Sequence, residues 1–296
     1  MATLSTDLGF EPKVFADHVQ AYFRQKLMWG SMALVDETLV AQPGQTVHFP
    51  FFTKIGDAEE PLETNQLVVD KLTDDAFTCT VKEVGKAVGF TMRSFRASAE
   101  RRERILAEAE AQMARVHAEK VDKDIVALLQ DASSYTQGYT AAAAGDVLNI
   151  RTLNSARIGG LGDRHDEAMA VFMHSRQFLD MMNDSTAGFL KADALDPLYT
   201  VPGFQGRILG MAVFVSDLCP AVAGGIDGKD AFHGYVMKAS PYGICVAEAP
   251  EVESDKDILS REIVITATQY YGVVGIHKKV SADDLRVIRF TTTVSS

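Results

Sequence analysis

The chain has 296 residues, of which 47% are hydrophobic and 23% are charged. These fractions are typical of a folded globular protein and exclude a disordered or fibrous chain. The formal net charge of -11 excludes a tight, sequence-independent grip on nucleic acid, because such binding needs clustered Lys and Arg side chains. The length allows one large domain or two domains of ordinary size.

The cysteine content and the first residues indicate the cellular compartment in which the protein is made. Cys79, Cys219 and Cys245 are widely spaced and odd in number, which predicts neither a zinc site nor a disulfide framework. The first residues lack the basic and apolar regions of a secretion signal. No apolar run approaches the roughly 18 residues that span a bilayer. We therefore expect a protein made in a reducing cytoplasm and without a membrane partner.

The first third of the chain is predicted to form an arm and a long hairpin. Residues 18–27 are compatible with a short helix. Residues 46–52 are rich in β-branched and aromatic side chains and predict a strand, and Pro50 restricts that strand to an edge or a two-stranded ribbon. Residues 77–81 alternate between apolar and polar side chains, as a returning strand does. Because an isolated hairpin is marginally stable in water, we expect this one to lie on a neighbouring subunit.

The strongest helical pattern covers residues 98–130. Neither Gly nor Pro interrupts it, and apolar side chains recur at steps of three to five residues. The predicted apolar stripe consists of Ile105, Ala109, Met113, Val116, Val121, Ile125 and Leu128. The predicted polar face consists of Glu103, Glu108, Arg115, Glu119 and Asp122, with His117 in a polar or flanking position. The spacing keeps no strict heptad seam, so it predicts one amphipathic helix about 50 Å long.

The remaining residues predict a compact α+β unit, because helices and strands follow one another in mixed order without an internal repeat. Helices are predicted at residues 146–161 and 175–182. Strands are predicted at residues 168–173, 206–216 with a break at Gly210, 232–237, 245–247, 262–275 and 286–294. Four methionines, Met169, Met173, Met181 and Met182, are expected to fill an irregular core.

This order of elements resembles the Hong Kong 97 fold of tailed-bacteriophage major capsid proteins. KIGDAE at residues 54–59, followed by VKEVGKAV at 81–88, resembles the family's extended loop and its entry into the peripheral domain. VFMHSRQF at 171–178 resembles the strand-to-helix step of the axial domain, and GRILGMAVFVSD at 206–217 is similar to another frequent phrase. The resemblance implies an α+β fold in five parts. These are an N-terminal arm at 1–32, an extended hairpin loop at 33–75, a peripheral domain at 76–145 with its spine helix at about 98–130, an axial domain at 146–250, and return strands at 251–296.

The resemblance also implies a function. The protein would be a major capsid protein, not an enzyme and without a cofactor, that assembles into pentamers and hexamers around double-stranded DNA. Its implied partners are other copies of itself, a portal, separate scaffolding or decoration proteins, and loosely contacted DNA. Its implied location is the virion, assembled in the host bacterial cytoplasm. An encapsulin-like nanocompartment shell is the alternative within the same fold.

Subunit contacts are expected to be non-covalent and partly electrostatic. Some relatives join subunits through a Lys–Asn bond whose Asn lies late in the chain, whereas the last asparagine here is Asn183. The residues that we single out as contacts are Lys54, Asp57, Glu59, Glu60 and Glu63 in the hairpin loop, and Arg101, Arg102 and Arg104 at the start of the long helix. We predict that the acidic tip docks on basic groups of an adjacent subunit. The alternative is that both groups are solvated surface charges.

Two segments have residue types that enzymatic sites use. Asp163, His165, Asp166 and Glu167 could serve a metal-dependent hydrolase, the alternative from a different class. Neighbours in sequence do not share one face, and no HExxH spacing supports them, so a solvated loop is favoured. Residues 224–230, GGIDGKD, depart from the phosphate-loop pattern and predict a surface turn.

Overall fold

The computed structural model describes residues 19, 23, 26–40, 42, 44–52, 58, 74–91, 99–131, 134–143, 145–184, 190–191, 196–198, 200–257, 261–276 and 286–294. These residues form a mixed α+β structure with two large sheets and one small one. This composition confirms the predicted α+β class. Within the described ranges, no helix combines the length and the apolar character needed to cross a bilayer.

The small sheet is the base of the predicted hairpin. Strand β1 (Leu34–Asp36) comes first, and strands β2 (Thr46–Phe52) and β3 (Asp74–Thr80) follow. Strands β2 and β3 pair with each other in antiparallel register, from Thr46 opposite Thr80 to Phe52 opposite Asp74. Pro50 therefore lies in a two-stranded ribbon, as its missing N–H donor predicts.

The first large sheet carries the long helix on one face. Its strand order is β1, β12 (Tyr242–Asp257), β13 (Glu262–Gly275) and β4 (Lys82–Thr91). Helix α1 spans Ala99–Gln130, within one residue of the predicted start. Ala109, Met113 and Ala114 of α1 pack against Ile263 and Ile265 of β13. We call this unit the four-stranded sheet.

The faces of α1 differ from the prediction at three positions. Val116 is 44% exposed, whereas His117 and Asp122 are 1% and 4% exposed. The buried residues come as neighbouring pairs at steps of four: 113 and 114, 117 and 118, 121 and 122, 125 and 126. A helix that lies on a sheet buries a broad stripe rather than a narrow seam. The stripe therefore includes two polar side chains and excludes Val116.

The second large sheet has eight strands. Its path is β5 (Thr136–Thr140), β14 (Val287–Thr293), β11 (Lys229–Met237), β6 (Ala170–Met173), β9 (Met211–Val215), β8 (Phe204–Ile208) and β7 (Leu190–Lys191), with β10 (Ala221–Ile226) paired to β11. Helices α2 (Ile150–Leu161) and α3 (Ser175–Asn183) accompany it. Strand β5 was not predicted. The last two long strands, β13 and β14, lie in different sheets, so the chain end passes from one sheet to the other.

Helix α2 begins later than predicted, and two methionines are not core residues. The side chain of Asn149 accepts a hydrogen bond from the Thr152 N–H and caps the helix, so residues 146–148 precede it. Met173 and Met181 are fully buried, as predicted. The prediction was wrong for Met169 and Met182, which are 53% and 44% exposed.

Candidate assembly surfaces

The hairpin base packs on its own chain. Val47, Phe49, Phe77 and Cys79 are buried together with Cys245 of β12. The rings of Phe51 and Phe77 stack with centroids 4.4 Å apart. The expectation that the hairpin needs a neighbouring subunit is therefore wrong for β2 and β3. The reason is that the period-two alternation gives the ribbon an apolar face, and the four-stranded sheet offers a matching surface.

A disulfide fixes this contact. Cys79 of β3 and Cys245 of β12 are bonded, although 166 residues separate them in sequence. Gly272 stands opposite Cys245 in the ladder, and a Cβ at that position would lie 2.8 Å from the sulfur of Cys79. The cysteines were not expected to form a disulfide framework, and this one pair departs from that expectation. Sequence spacing carries no information on a pair that two separate elements bring together.

The predicted contact residues lie mostly beyond the described part of the chain. Lys54, Asp57, Glu59, Glu60 and Glu63 are outside the described residues. Arg101 and Arg102 belong to α1, but their side chains are outside as well, whereas Arg104 is exposed. Docking between the acidic tip and these arginines therefore stays a prediction.

The four-stranded sheet presents a second acidic surface that the sequence analysis missed. Glu251, Glu253 and Asp255 of β12 alternate with buried Val252 and are exposed on the face opposite α1. A hydrogen bond to the Glu251 carboxylate stabilises protonated Glu248 and raises its pKa, and burial and the neighbouring acids act in the same direction. We call Glu251, Glu253 and Asp255 the acidic row. Period-two alternation of acids with Val252 was the available signal.

Trp29 joins the two large sheets. Its ring stacks on Phe172 of β6 with centroids 4.2 Å apart, and its indole N–H donates to the hydroxyl of Ser216 at 3.2 Å. Its carbonyl accepts a hydrogen bond of 2.5 Å from Tyr242 of β12. The single Trp of the chain therefore contacts the eight-stranded sheet through its side chain and the four-stranded sheet through its backbone.

Asp122 of α1 binds the backbone of the segment around Trp29. Its carboxylate accepts backbone N–H bonds from Met28 and Trp29 at 3.0 Å and from Gly30 at 3.3 Å. Burial raises the pKa of Asp122 to about 6, although the three N–H donors act in the opposite direction. The carboxylate caps a 3₁₀ turn at Trp29–Met32. The sequence analysis placed Asp122 on the polar face of α1. The missed signal is that Asp122 directly follows Val121, a residue of the predicted apolar stripe.

A charged network connects the C-terminal half of α1 to its neighbours. Asp124 accepts bonds from Lys82 at 2.7 Å and Lys120 at 2.8 Å, and the hydroxyl of Tyr271 also donates to it. Partial burial raises the pKa of Asp124, but these donors outweigh it, and the pKa lies below its ordinary value. The carboxylate therefore ties α1 to β4 and β13 at once.

Parts of the two candidate enzymatic segments have structural contacts. Glu167 pairs with Lys238 at 2.8 Å, and residues 224–230 form the β10–β11 hairpin with positive φ at Asp227 and Gly228. The hairpin confirms the predicted surface turn. The side chains of Asp163 and His165 are outside the described part. Among the side chains that the structure describes, no three His, Cys, Asp or Glu converge on one point.

Comparison with known proteins identifies the fold. No protein-family model matches the chain. The major capsid protein of Staphylococcus phage phiMR11 is 28% identical over 202 residues, which are 68% of this chain and 70% of that protein.

Solved phage capsids have a similar fold over most of the chain. The capsid of cyanophage Pam1 matches with a TM-score of 0.66 at 14% identity, over 90% of this chain and 89% of that one. The head structure of Helicobacter pylori bacteriophage KHP40 gives a TM-score of 0.66 at 16% identity, over 94% and 91%. The capsid of Ralstonia phage GP4 gives 0.65 at 12% identity, over 92% of both chains. The chain thus has the fold of phage capsid proteins and a phage major capsid protein as a relative, which confirms the resemblance predicted from its sequence.

Proposed function

We propose that this chain is the major capsid protein of a tailed bacteriophage, and that its copies form the icosahedral head around double-stranded DNA. The observation that carries this proposal is the joint likeness in sequence and fold: a capsid relative at 28% identity over 202 residues and capsid structures that match over at least 90% of the chain. The role is structural, and the chain catalyses no reaction.

We assign the five parts of the Hong Kong 97 plan as the sequence suggests. The arm comprises residues 1–32 and the extended loop 33–75. The peripheral domain comprises 76–145 with α1 as its spine, the axial domain 146–250, and the return strands 251–296. The position of α1 on the four-stranded sheet and the separate core of the eight-stranded sheet support a peripheral and an axial unit.

The architecture suits assembly from many modest contacts. A subunit that is held at several edges leaves a shell only when all of its contacts fail together. Head-to-tail contacts between identical subunits close into rings, and closed symmetry limits growth. The bracing by Trp29 and Asp122 supports this role, because a subunit must keep its shape while several neighbours pull on it.

Charge distribution supports the proposed partners. The net charge of -11 and the acidic row favour weak, non-specific contact with packaged DNA, since like charges repel. We propose that the acidic hairpin tip docks on the arginines at the start of α1 in an adjacent subunit. A portal and separate scaffolding or decoration proteins complete the proposed set of partners, with assembly in the bacterial cytoplasm.

Electron microscopy with sizing chromatography tests the proposal. The chain is expressed alone, and then with the neighbouring genes of its genome. We expect rings, capsomers or closed shells, and DNA inside particles made during infection. A protein that stays monomeric in both preparations would contradict the proposal. Shells that carry a co-purifying enzyme instead of DNA would replace the phage head with a nanocompartment.

A further inference from the structure

The disulfide joins the base of the hairpin to the four-stranded sheet. Cys79 lies on the hairpin base and Cys245 on the four-stranded sheet, and their side chains are 1% and 0% exposed. Cys219, also buried, is the third cysteine and is free. It packs in a different core, together with Phe172 and Tyr235. The chain therefore holds one pair that can be oxidised and one thiol that serves as an internal reference.

The fold brings this pair together without the bond. The apolar face of β2 and β3 already rests on β12, since Phe49 packs over Gly243, where a Cβ would lie 2.8 Å from the ring. The Cα atoms of Cys79 and Cys245 are 6.5 Å apart, within the range that a disulfide spans. The reduced and oxidised chains can thus share one backbone arrangement.

We propose that Cys79 and Cys245 remain thiols while subunits assemble and become a disulfide after the particle leaves the cell, which locks the hairpin base on its own chain. The order follows from the compartments of the proposed function, on which this inference rests. Cytoplasmic thiols are kept reduced, whereas disulfides persist in oxidising surroundings. In the reduced subunit, apolar contacts such as those of Phe49 and Phe77 hold the base without a covalent bond. The hairpin can therefore adjust to its neighbours before the bond fixes it.

The chemistry needs one two-electron oxidant. Each thiol gives up its hydrogen, the S–S bond forms, and two protons and two electrons pass to dissolved dioxygen, which becomes hydrogen peroxide. Oxidised glutathione achieves the same by exchange and leaves as two molecules of glutathione. Because both sulfurs are buried, a reagent reaches them only when the hairpin base opens. The bond therefore forms slowly and, once formed, resists reduction.

Thiol counting on wild-type particles tests the timing. Infected cells are lysed under denaturing conditions in excess N-ethylmaleimide, and purified particles are treated with oxidised glutathione before the same alkylation. We expect three alkylated cysteines per chain in the lysate and one, Cys219, in the treated particles, with a Cys79–Cys245 peptide in the mass spectrum. Cys219→Ser is the matched control and should change from two alkylated cysteines to none.

Three results would overturn the inference. Treated particles could retain three thiols, the lysate could already contain only one, or the lost thiols could appear as cross-links between chains in a non-reducing gel. Shells that assemble and yet keep three thiols contradict this inference alone, whereas failure to form shells contradicts the proposed function.

Hydrogen exchange tests the locking role. Oxidation should slow exchange in β2 and β3 by about tenfold or more, because opening of the base must then strain a covalent loop. The Cys79→Ser and Cys245→Ser variants, made separately, should exchange at the reduced wild-type rate under both conditions. Equal exchange rates in reduced and oxidised wild-type particles would contradict the locking role, because packing alone would then hold the hairpin base.

Discussion

The two large sheets bury their surfaces differently. In the eight-stranded sheet, strands β6, β9 and β14 are buried on both faces: Phe172 and Phe214 belong to one core, and Val171 and Val213 to another. In the four-stranded sheet, β13 alternates, with Ile263, Ile265 and Ala267 buried under α1 and the residues between them partly exposed. The difference shows that these strands of the eight-stranded sheet are covered on both faces, with one of the two cores shared with α1 and the four-stranded sheet, whereas β13 keeps one face partly exposed.

The largest expected effect comes from a substitution in the eight-stranded sheet, whose central strands are buried on both faces. Phe172 is fully buried and stacks with both Trp29 and Phe214, at 4.2 and 4.8 Å. Phe172→Ala should reduce the free energy of unfolding by about 4 kcal/mol, since it removes apolar burial and leaves a cavity. Val264→Ala, on the open face of β13, is the control and should cost less than about 1 kcal/mol. Urea denaturation of the isolated subunit measures both; similar losses would contradict the comparison.

The next effect concerns the connection between the sheets. Asp122→Ala leaves the N–H groups of Met28, Trp29 and Gly30 without their acceptor in a buried place. We expect a loss of about 3 kcal/mol, together with a change in the fluorescence of Trp29. Asp122→Asn retains one acceptor oxygen and should lose about half as much. Unchanged fluorescence in the Ala variant would show that packing alone positions the tryptophan.

A smaller effect is the pH dependence that His233 confers on the eight-stranded sheet. Burial, with the nearby Arg289, lowers the pKa of His233 from 6.5 to about 4. The unfolded chain therefore binds a proton below pH 6.5 that the folded chain does not, so this contribution to stability is lost as the pH falls from 6.5 to 4. We expect the unfolding free energies of wild type and His233→Gln to converge by about 2 kcal/mol between pH 7 and pH 4.5. A constant difference across that window would contradict the prediction.

Asp122 adds a slope of the opposite sign. Its folded pKa of about 6 lies above the ordinary value of 3.8, so the folded chain binds the extra proton between pH 6 and pH 4. Its contribution therefore favours folding as the pH falls through that window. Comparison with Asp122→Asn, which does not titrate, separates the two slopes in the same denaturation series.

The smallest effect on stability is expected on the charged surfaces. Reversal of charge at Glu59 and Glu60 should leave the unfolding free energy within about 0.5 kcal/mol but impair shell formation, because docking loses its electrostatic steering. Reversal at Glu251 and Glu253 in the acidic row is the matched control, with the same change of charge. Microscopy of assembly reactions at low and high salt measures the effect. Equal impairment by both pairs would indicate that net charge, and not the tip, controls assembly.

The bounds of several helices and strands could be predicted from the amino-acid sequence. The 32-residue helix α1 and the strands β2 and β13 begin and end within one residue of their predicted bounds, because periodicity and the position of Gly and Pro act over a few residues. The order of these elements also carried the resemblance to capsid proteins, which the comparisons confirmed. The charged tip and the arginines of α1 were likewise visible in sequence, although their contact remains a prediction.

Which surfaces pack against each other could be seen only in the folded chain. The burial of Asp122 under Trp29, the seat of the hairpin base on β12, and the bond between Cys79 and Cys245 each join residues more than 90 positions apart. Strands β13 and β14 were both predicted from the sequence, but the sequence did not show that they enter different sheets. Periodicity states that a face is apolar but not what covers it. The element that covers a given apolar face is the one whose shape fits it, and this depends on how the entire chain folds.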